Sequence, residues 1–178
     1  HNPAEYVFQL AQAFLAISDQ RWVAYEIIAD HPAAFQELYR ELLEELGTGI
    51  NSWWTVDAFG STLAGPAWRE GLIDTSTVEG WARSPDRWWR RAALVSTTAL
   101  NVRSRGGQGD PARTLRICEM LVDDHDDMVV KALSWALRVL IVHDRAAVEG
   151  FLDQHAERLA ARVKREVRNK LATGLKNP

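Results

Sequence analysis

Tryptophans stand at helical spacing from charged residues in three stretches of this chain. Trp53 and Trp54 precede Asp57, Trp88 and Trp89 precede Arg90 and Arg91, and Trp135 lies between Lys131 and Arg138. On an α-helix, residues three or four apart share a face, so Trp53 sits with Asp57, and Lys131 with Trp135 and Arg138. A chain that only needed to fill a core would keep charge away from its indoles. Indole faces attract cations and stack on flat bases, while Arg and Lys pair with phosphates. The combination suits a surface that holds a cationic nucleobase on a polyanionic strand.

The elements that must carry these residues all read as helices. Apolar positions spaced by three and four run through Tyr6 to Ile17, Trp22 to Ala29, Phe35 to Leu46, Ile50 to Leu63, Trp88 to Leu100, Leu115 to Val122, Val129 to Val142 and Val148 to Leu159. A basic helix follows at the C-terminal end. Punctuation falls between them at His31-Pro32, Gly47-Thr48-Gly49, Gly65-Pro66, Ser84-Pro85-Asp86, the glycine-rich turn from Gly106 to Pro111, and the aspartates of 123–127. A polar cap leads into an aromatic or aliphatic helix at Ser18 to Trp22, Asn51 to Trp54, Ser84 to Trp89 and Asp126 to Val129. These onsets recur at intervals of about 30 to 40 residues, the spacing of helix-pair solenoids. The expected architecture is an all-α helical-repeat stack over residues 1–178, in which inner helices bring Asp57, Arg91 and Trp135 onto one extended surface.

Composition bounds the partners. The chain has 178 residues, nearly half of them apolar, and a formal charge of −3. That sum argues against a phosphate backbone as partner, but the charges are segregated. Acid gathers at Glu37, Glu41, Glu44 and Glu45 and at Asp123, Asp124, Asp126 and Asp127; the last stretch carries Arg158, Arg162, Lys164, Arg165, Arg168, Lys170 and Lys176 around Glu166. Either a basic binding face or a solvated terminal helix fits that pattern. No run of apolar residues is long enough to span a bilayer, and the expectation is a soluble, cytoplasmic monomer without a membrane partner. Cys118 falls in an apolar helical pattern and reads as a small buried hydrophobe. Trp22, Trp68 and Trp81 read as core, and one indole of each doublet should turn inward. The aspartates flanking His125 read as helix caps rather than metal ligands, and no metal or cofactor is expected.

Three segments in register carry a resemblance: Asn51-Ser52-Trp53-Trp54-Thr55-Val56-Asp57, Trp88-Trp89-Arg90-Arg91-Ala92-Ala93-Leu94, and Val130-Lys131-Ala132-Leu133-Ser134-Trp135-Ala136-Leu137-Arg138. With these, the chain resembles the AlkD-like family of DNA alkylation repair proteins, alkylpurine DNA glycosylases built of HEAT-like repeats. The resemblance implies a HEAT-like solenoid with a concave DNA-binding face, shorter at its N-terminal end than is usual in the family. It implies Asp57 as the catalytic carboxylate and Trp53, Trp54 and Trp135 as lesion-contacting walls. Arg90, Arg91, Lys131 and Arg138 become the holders of phosphates. The partner it implies is double-stranded DNA containing N3- or N7-alkylated purines, which would place the protein with the nucleoid when bound. A departure is Trp54, which stands where the family often has an acid. A DNA-binding relative without catalysis and a helical-repeat scaffold for protein partners are the other readings of the same residues.

Overall fold

The computed structural model describes residues 3–178. Helix α1 (Pro3–Ile17) packs on α2 (Arg21–Ala29) and α3 (Pro32–Gln36), and α4 (Arg40–Gly47) leads into α5 (Trp53–Ala58). A π-helical turn, Phe59–Ala64, joins α5 to α6 (Gly65–Arg69). Then come α7 (Thr75–Ala82), α8 (Arg87–Ser96), the short α9 (Thr98–Asn101), α10 (Pro111–Met120), α11 (Asp127–Leu140), α12 (Arg145–Gln154) and α13 (Ala161–Thr173). Among the described residues there is no strand, so the fold is all-α, as its apolar spacing predicts.

Two rows of helices build the repeat. In one, α2, α5 with its π-turn, α8, α11 and α13 each touch the next; in the other, α7 packs on α10, with α7 backing onto α8 and α10 onto α8 and α11. Side-chain caps set the row's helix starts. Thr55 Oγ1 accepts the Ser52 N–H at 3.3 Å, Asp86 accepts the Trp88 N–H at 2.8 Å, and Asp126 accepts the Met128 N–H at 2.9 Å. An aromatic knot ties the first half together: Phe59 stands 5.6 Å from Tyr25, 5.9 Å from Trp81 and 5.7 Å from Trp89 between ring centroids. Each such ring, buried, is worth about 2–3 kcal/mol in transfer alone.

The structure departs from the sequence reading in five places. Trp22 is 43 % exposed rather than core. Arg21 donates to the carbonyls of Leu46 and Thr48 at 2.8 and 2.7 Å, which turns the face of Arg21, Tyr25 and Ile28 inward and leaves Trp22 on the flank. In the first doublet neither indole turns in, because both occupy the opening turn of α5, ahead of the buried Thr55 and Val56. The single helix expected over Phe35 to Leu46 is two, since Tyr39 is extended between α3 and α4; Leu38 and Leu42 keep the apolar rhythm across the break. α7, with a Thr-rich start, has no expected counterpart.

The fifth departure is Gly65-Pro66, where the helix continues. Proline has no N–H and its ring crowds the carbonyl four residues back. Here Gly65 N–H bonds to the Gly60 carbonyl, five residues back, so the ladder is widened just before the proline arrives. The same segment lies hard against α8. A Cβ on Gly65 would stand 2.6 Å from both the Gly60 and Ser96 carbonyl oxygens and 2.7 Å from Ala99 Cβ. We therefore predict that Gly65→Ala costs about 2 kcal/mol or more by overpacking, read as a lowered urea midpoint. Gly80→Ala, where a Cβ meets nothing within 4 Å, should instead gain about 0.5–1 kcal/mol. Equal midpoints for the two variants would remove the close approach.

Candidate active site

Helix α5 holds Asp57 in its last turn, with Thr55 and Val56 buried before it, so the carboxylate leaves the helix toward α8. Arg91, in the middle of α8, meets it with both arms of the guanidinium. Nε donates to Oδ1 and Nη2 to Oδ2, each at 2.9 Å. The third arm, Nη1, donates to the Met128 carbonyl at the start of α11 in a very short contact. Three neighbouring helices are thus joined through one side chain. The Arg91 side chain is 6 % exposed and that of Asp57 21 %, so the pair is shielded on the arginine side and open on the carboxylate side. Burial pushes the Asp57 carboxyl above the ordinary carboxylate range, against the pull of the Arg91 hydrogen bonds and charge.

Beside this pair opens a cavity of about 290 Å³. Trp53, Arg91 and Met128 line one end, Lys131, Trp135 and Arg138 come from α11, and Lys176 closes the other end. Four of these seven lining residues are cationic and two are indoles, so the cavity offers flat apolar walls beside positive charge. Trp53 is 58 % exposed, available for stacking. A larger opening between α10 and α12, about 540 Å³ and lined by Arg116, Glu119, Phe151 and His155 among others, has no indole wall and lies away from Asp57.

The structure brings together Trp53, Asp57, Arg91, Lys131, Trp135 and Arg138. It does not bring Arg90 or Trp54 to the cavity. Arg90 donates to Asp124 at 2.7 Å and to the Ser84 and Pro85 carbonyls at 3.1 and 2.9 Å, which fixes the α7–α8 turn to the start of α11. One arginine of the doublet is therefore in the cleft and the other in a structural ion pair with Asp124. Trp54 is 40 % exposed beside Trp53. Lys131 is paired with Asp127 at 2.6 Å. Arg138 Nε donates to Ser134 Oγ at 3.2 Å, and burial draws its pKa below the ordinary arginine value, against the opposing charge of Glu166.

Sequence reasoning missed Met128, whose contribution is a backbone carbonyl, gave no role to Ser134 and Glu166, and placed Lys176 only within a basic stretch. Ser134 could have been found, since it shares the helix face of Lys131 and Arg138. Lys176 leaves no local signal, because it arrives from beyond the end of α13.

Removing Arg91 would leave the Asp57 carboxylate and the Met128 carbonyl without their donor. Arg91→Ala should cost about 2–3 kcal/mol of stability in chemical unfolding, less than for a fully buried pair because Asp57 keeps some solvent. A loss below about 0.5 kcal/mol, the range of surface pairs, would show that the bridge does not tie the helices.

No curated protein matches the chain. Residues 2–171, nearly its whole length, match the family described as DNA alkylation repair enzyme. On that match the chain belongs to the DNA alkylation repair enzyme family.

Proposed function

We propose that the protein is a monofunctional DNA glycosylase that hydrolyses the N-glycosidic bond of N3- or N7-alkylated purines in double-stranded DNA. The observation that carries this reading is the Asp57 carboxylate, held at both oxygens by Arg91 and one helical turn from the exposed Trp53, beside an open cavity lined by cations. An alkylated purine bears a positive charge and is already a good leaving group. As the C1′–N bond breaks, its electron pair passes to the purine, which departs neutral, and the deoxyribose takes the positive charge. A fixed carboxylate against C1′ lowers the energy of that oxocarbenium-like state and orients a water whose oxygen then bonds to C1′, its proton passing to solvent. The product is an abasic site.

Arg91 acts here on the carboxylate rather than on phosphate, since its three arms are engaged within the protein. Indole faces at Trp53 and Trp135 favour a cationic base and sugar over neutral ones, at about 0.5–2 kcal/mol each. Lys131 and Arg138 hold flanking phosphates, contacts that fix register and carry no sequence preference. The two lysines at the cavity, Lys131 and Lys176, are each paired with an acid, and the proposed reaction uses neither as a Schiff-base nucleophile, so it includes no strand cleavage.

Incubation with a duplex containing 7-methylguanine, followed by chromatography of free base, tests the reading. The wild type should release base above the spontaneous rate, and Asp57→Asn should lose about 100-fold or more while still binding DNA. Binding without release in the wild type would favour the catalytically silent alternative. The pH profile gives a second check. The active form is the carboxylate, so release falls as pH drops through the Asp57 pKa. Burial raises that pKa, and the acid limb should lie above the ordinary value of about 3.9. A limb at or below that value would detach the activity from this carboxylate.

A further inference from the structure

The α13 end of the cavity lies opposite the α5 end that carries Trp53, and it is built around a buried acid with no part in the reaction above. Glu166, on α13, is 3 % exposed. One of its oxygens accepts the Ser134 hydroxyl at 2.6 Å, and Ser134 Oγ in turn accepts Arg138 Nε at 3.2 Å. The other oxygen stands 3.5 Å from Lys176 Nζ. Lys176 reaches this point because Gly174, at φ 76°, ends α13 in the left-handed conformation and turns the chain back. Asn169 Nδ2 fixes the returning strand by donating to the Lys176 carbonyl at 3.1 Å.

One carboxylate thus pairs directly with Lys176 and reaches Arg138 through the Ser134 hydroxyl, and the two cations line the same cavity. Two positive groups over one buried acid leave a net single positive charge. A latch whose only task was to tie down this returning segment would sink its lysine. Lys176 instead keeps 41 % of its side chain exposed and lines the cavity beside Arg138. A phosphodiester carries one negative charge and matches what is left over.

We propose that Arg138 and Lys176 form a seat for one DNA phosphate at the α13 end of the cavity, with Glu166 as the positioning residue for both, through Ser134 in the case of Arg138. This rests on the glycosylase reading for the identity of the ligand as DNA. The seat takes the strand one cavity length from Asp57, so that the sugar of the damaged nucleotide is aligned by a backbone contact made away from the lesion.

Counterion release distinguishes a phosphate contact from a latch. Each phosphate neutralised contributes about −0.9 to the slope of log affinity against log salt on duplex DNA. The full chain is titrated against an undamaged labelled duplex by fluorescence anisotropy, over roughly 50 to 200 mM salt. Lys176→Ala should weaken binding at low salt and flatten the slope by about 0.9, and Lys176→Arg should restore it. Lys164→Ala removes a charge from the same helix, but Lys164 Nζ is bonded to the Ala156 carbonyl and is not on the cavity, so its slope should equal the wild type's.

A wild-type slope in Lys176→Ala, or equal flattening in both alanine variants, overturns the seat while base release by the wild type stands. A lowered melting temperature in Lys176→Ala with an unchanged slope marks a latch and overturns it equally. Absence of salt-dependent duplex binding in the wild type removes the glycosylase reading and the seat together.

Discussion

Everything at the site depends on one guanidinium with three obligations. Arg91 takes both oxygens of Asp57 from α5 and the Met128 carbonyl from α11, while its own Cα sits in α8 between them. Ion pairs of this kind contribute little net stability, because desolvation offsets most of the Coulombic gain. What they do fix is direction. A bidentate fork allows one relative orientation of carboxylate and guanidinium, so neighbouring helices are held in register to within the tolerance of a hydrogen bond. The cavity, with Trp53 at one end and Trp135 on α11, owes its width to that register.

Charge elsewhere is spent on structure, which explains how an acidic protein presents a cationic cavity. The aspartates between α10 and α11 are an ion-pair hub. Asp123 meets Arg158, Asp124 meets Arg90, Asp126 meets Arg87, and Asp127 meets Lys131 and Arg162. Arg87 and Arg90 of α8 and Arg158 and Arg162 of the C-terminal stretch are thereby paired away from the cavity, and Lys131 is paired at its wall. In sequence, acid and base look segregated into separate runs; in space the fold interleaves them, and the net charge of −3 says nothing about the cavity.

Much of this was legible from residue types. The all-α fold follows from apolar spacing and caps, and Cys118 is buried as its pattern requires. Asp57 with Trp53, and Lys131 with Trp135 and Arg138, are same-face sets that helical geometry dictates. What was illegible shares one cause: it is decided by contacts between elements. Trp22 is exposed because Arg21 anchors to carbonyls of the α4–α5 turn. Which arginine of the doublet enters the cleft depends on where Asp124 and Asp57 lie, more than 30 residues away in either direction. The Tyr39 break is hidden because its flanking leucines keep the helical rhythm, and Lys176 joins the cavity through a reversal that periodicity does not record.

The π-helical turn draws fold and site together. It begins directly after α5, and Ser61 Oγ donates to the Asp57 carbonyl at 2.6 Å, filling the place that a widened ladder leaves. Gly60 sits one turn beyond Asp57, and Val95 one turn beyond Arg91. A Cβ on Gly60 would meet Val95 Cγ1 at 2.8 Å, so the two backbones approach as closely here as side chains allow. Distance between the helices at this point sets the distance at the next turn along. There the guanidinium must reach both carboxylate oxygens at 2.9 Å. A helix without the extra residue in its turn would bring the Pro66 ring against the carbonyl four residues back and carry Asp57 at a different angle to α8. Gly60, Gly65 and Pro66 touch no ligand in the proposed reaction, yet they place the carboxylate on which it depends.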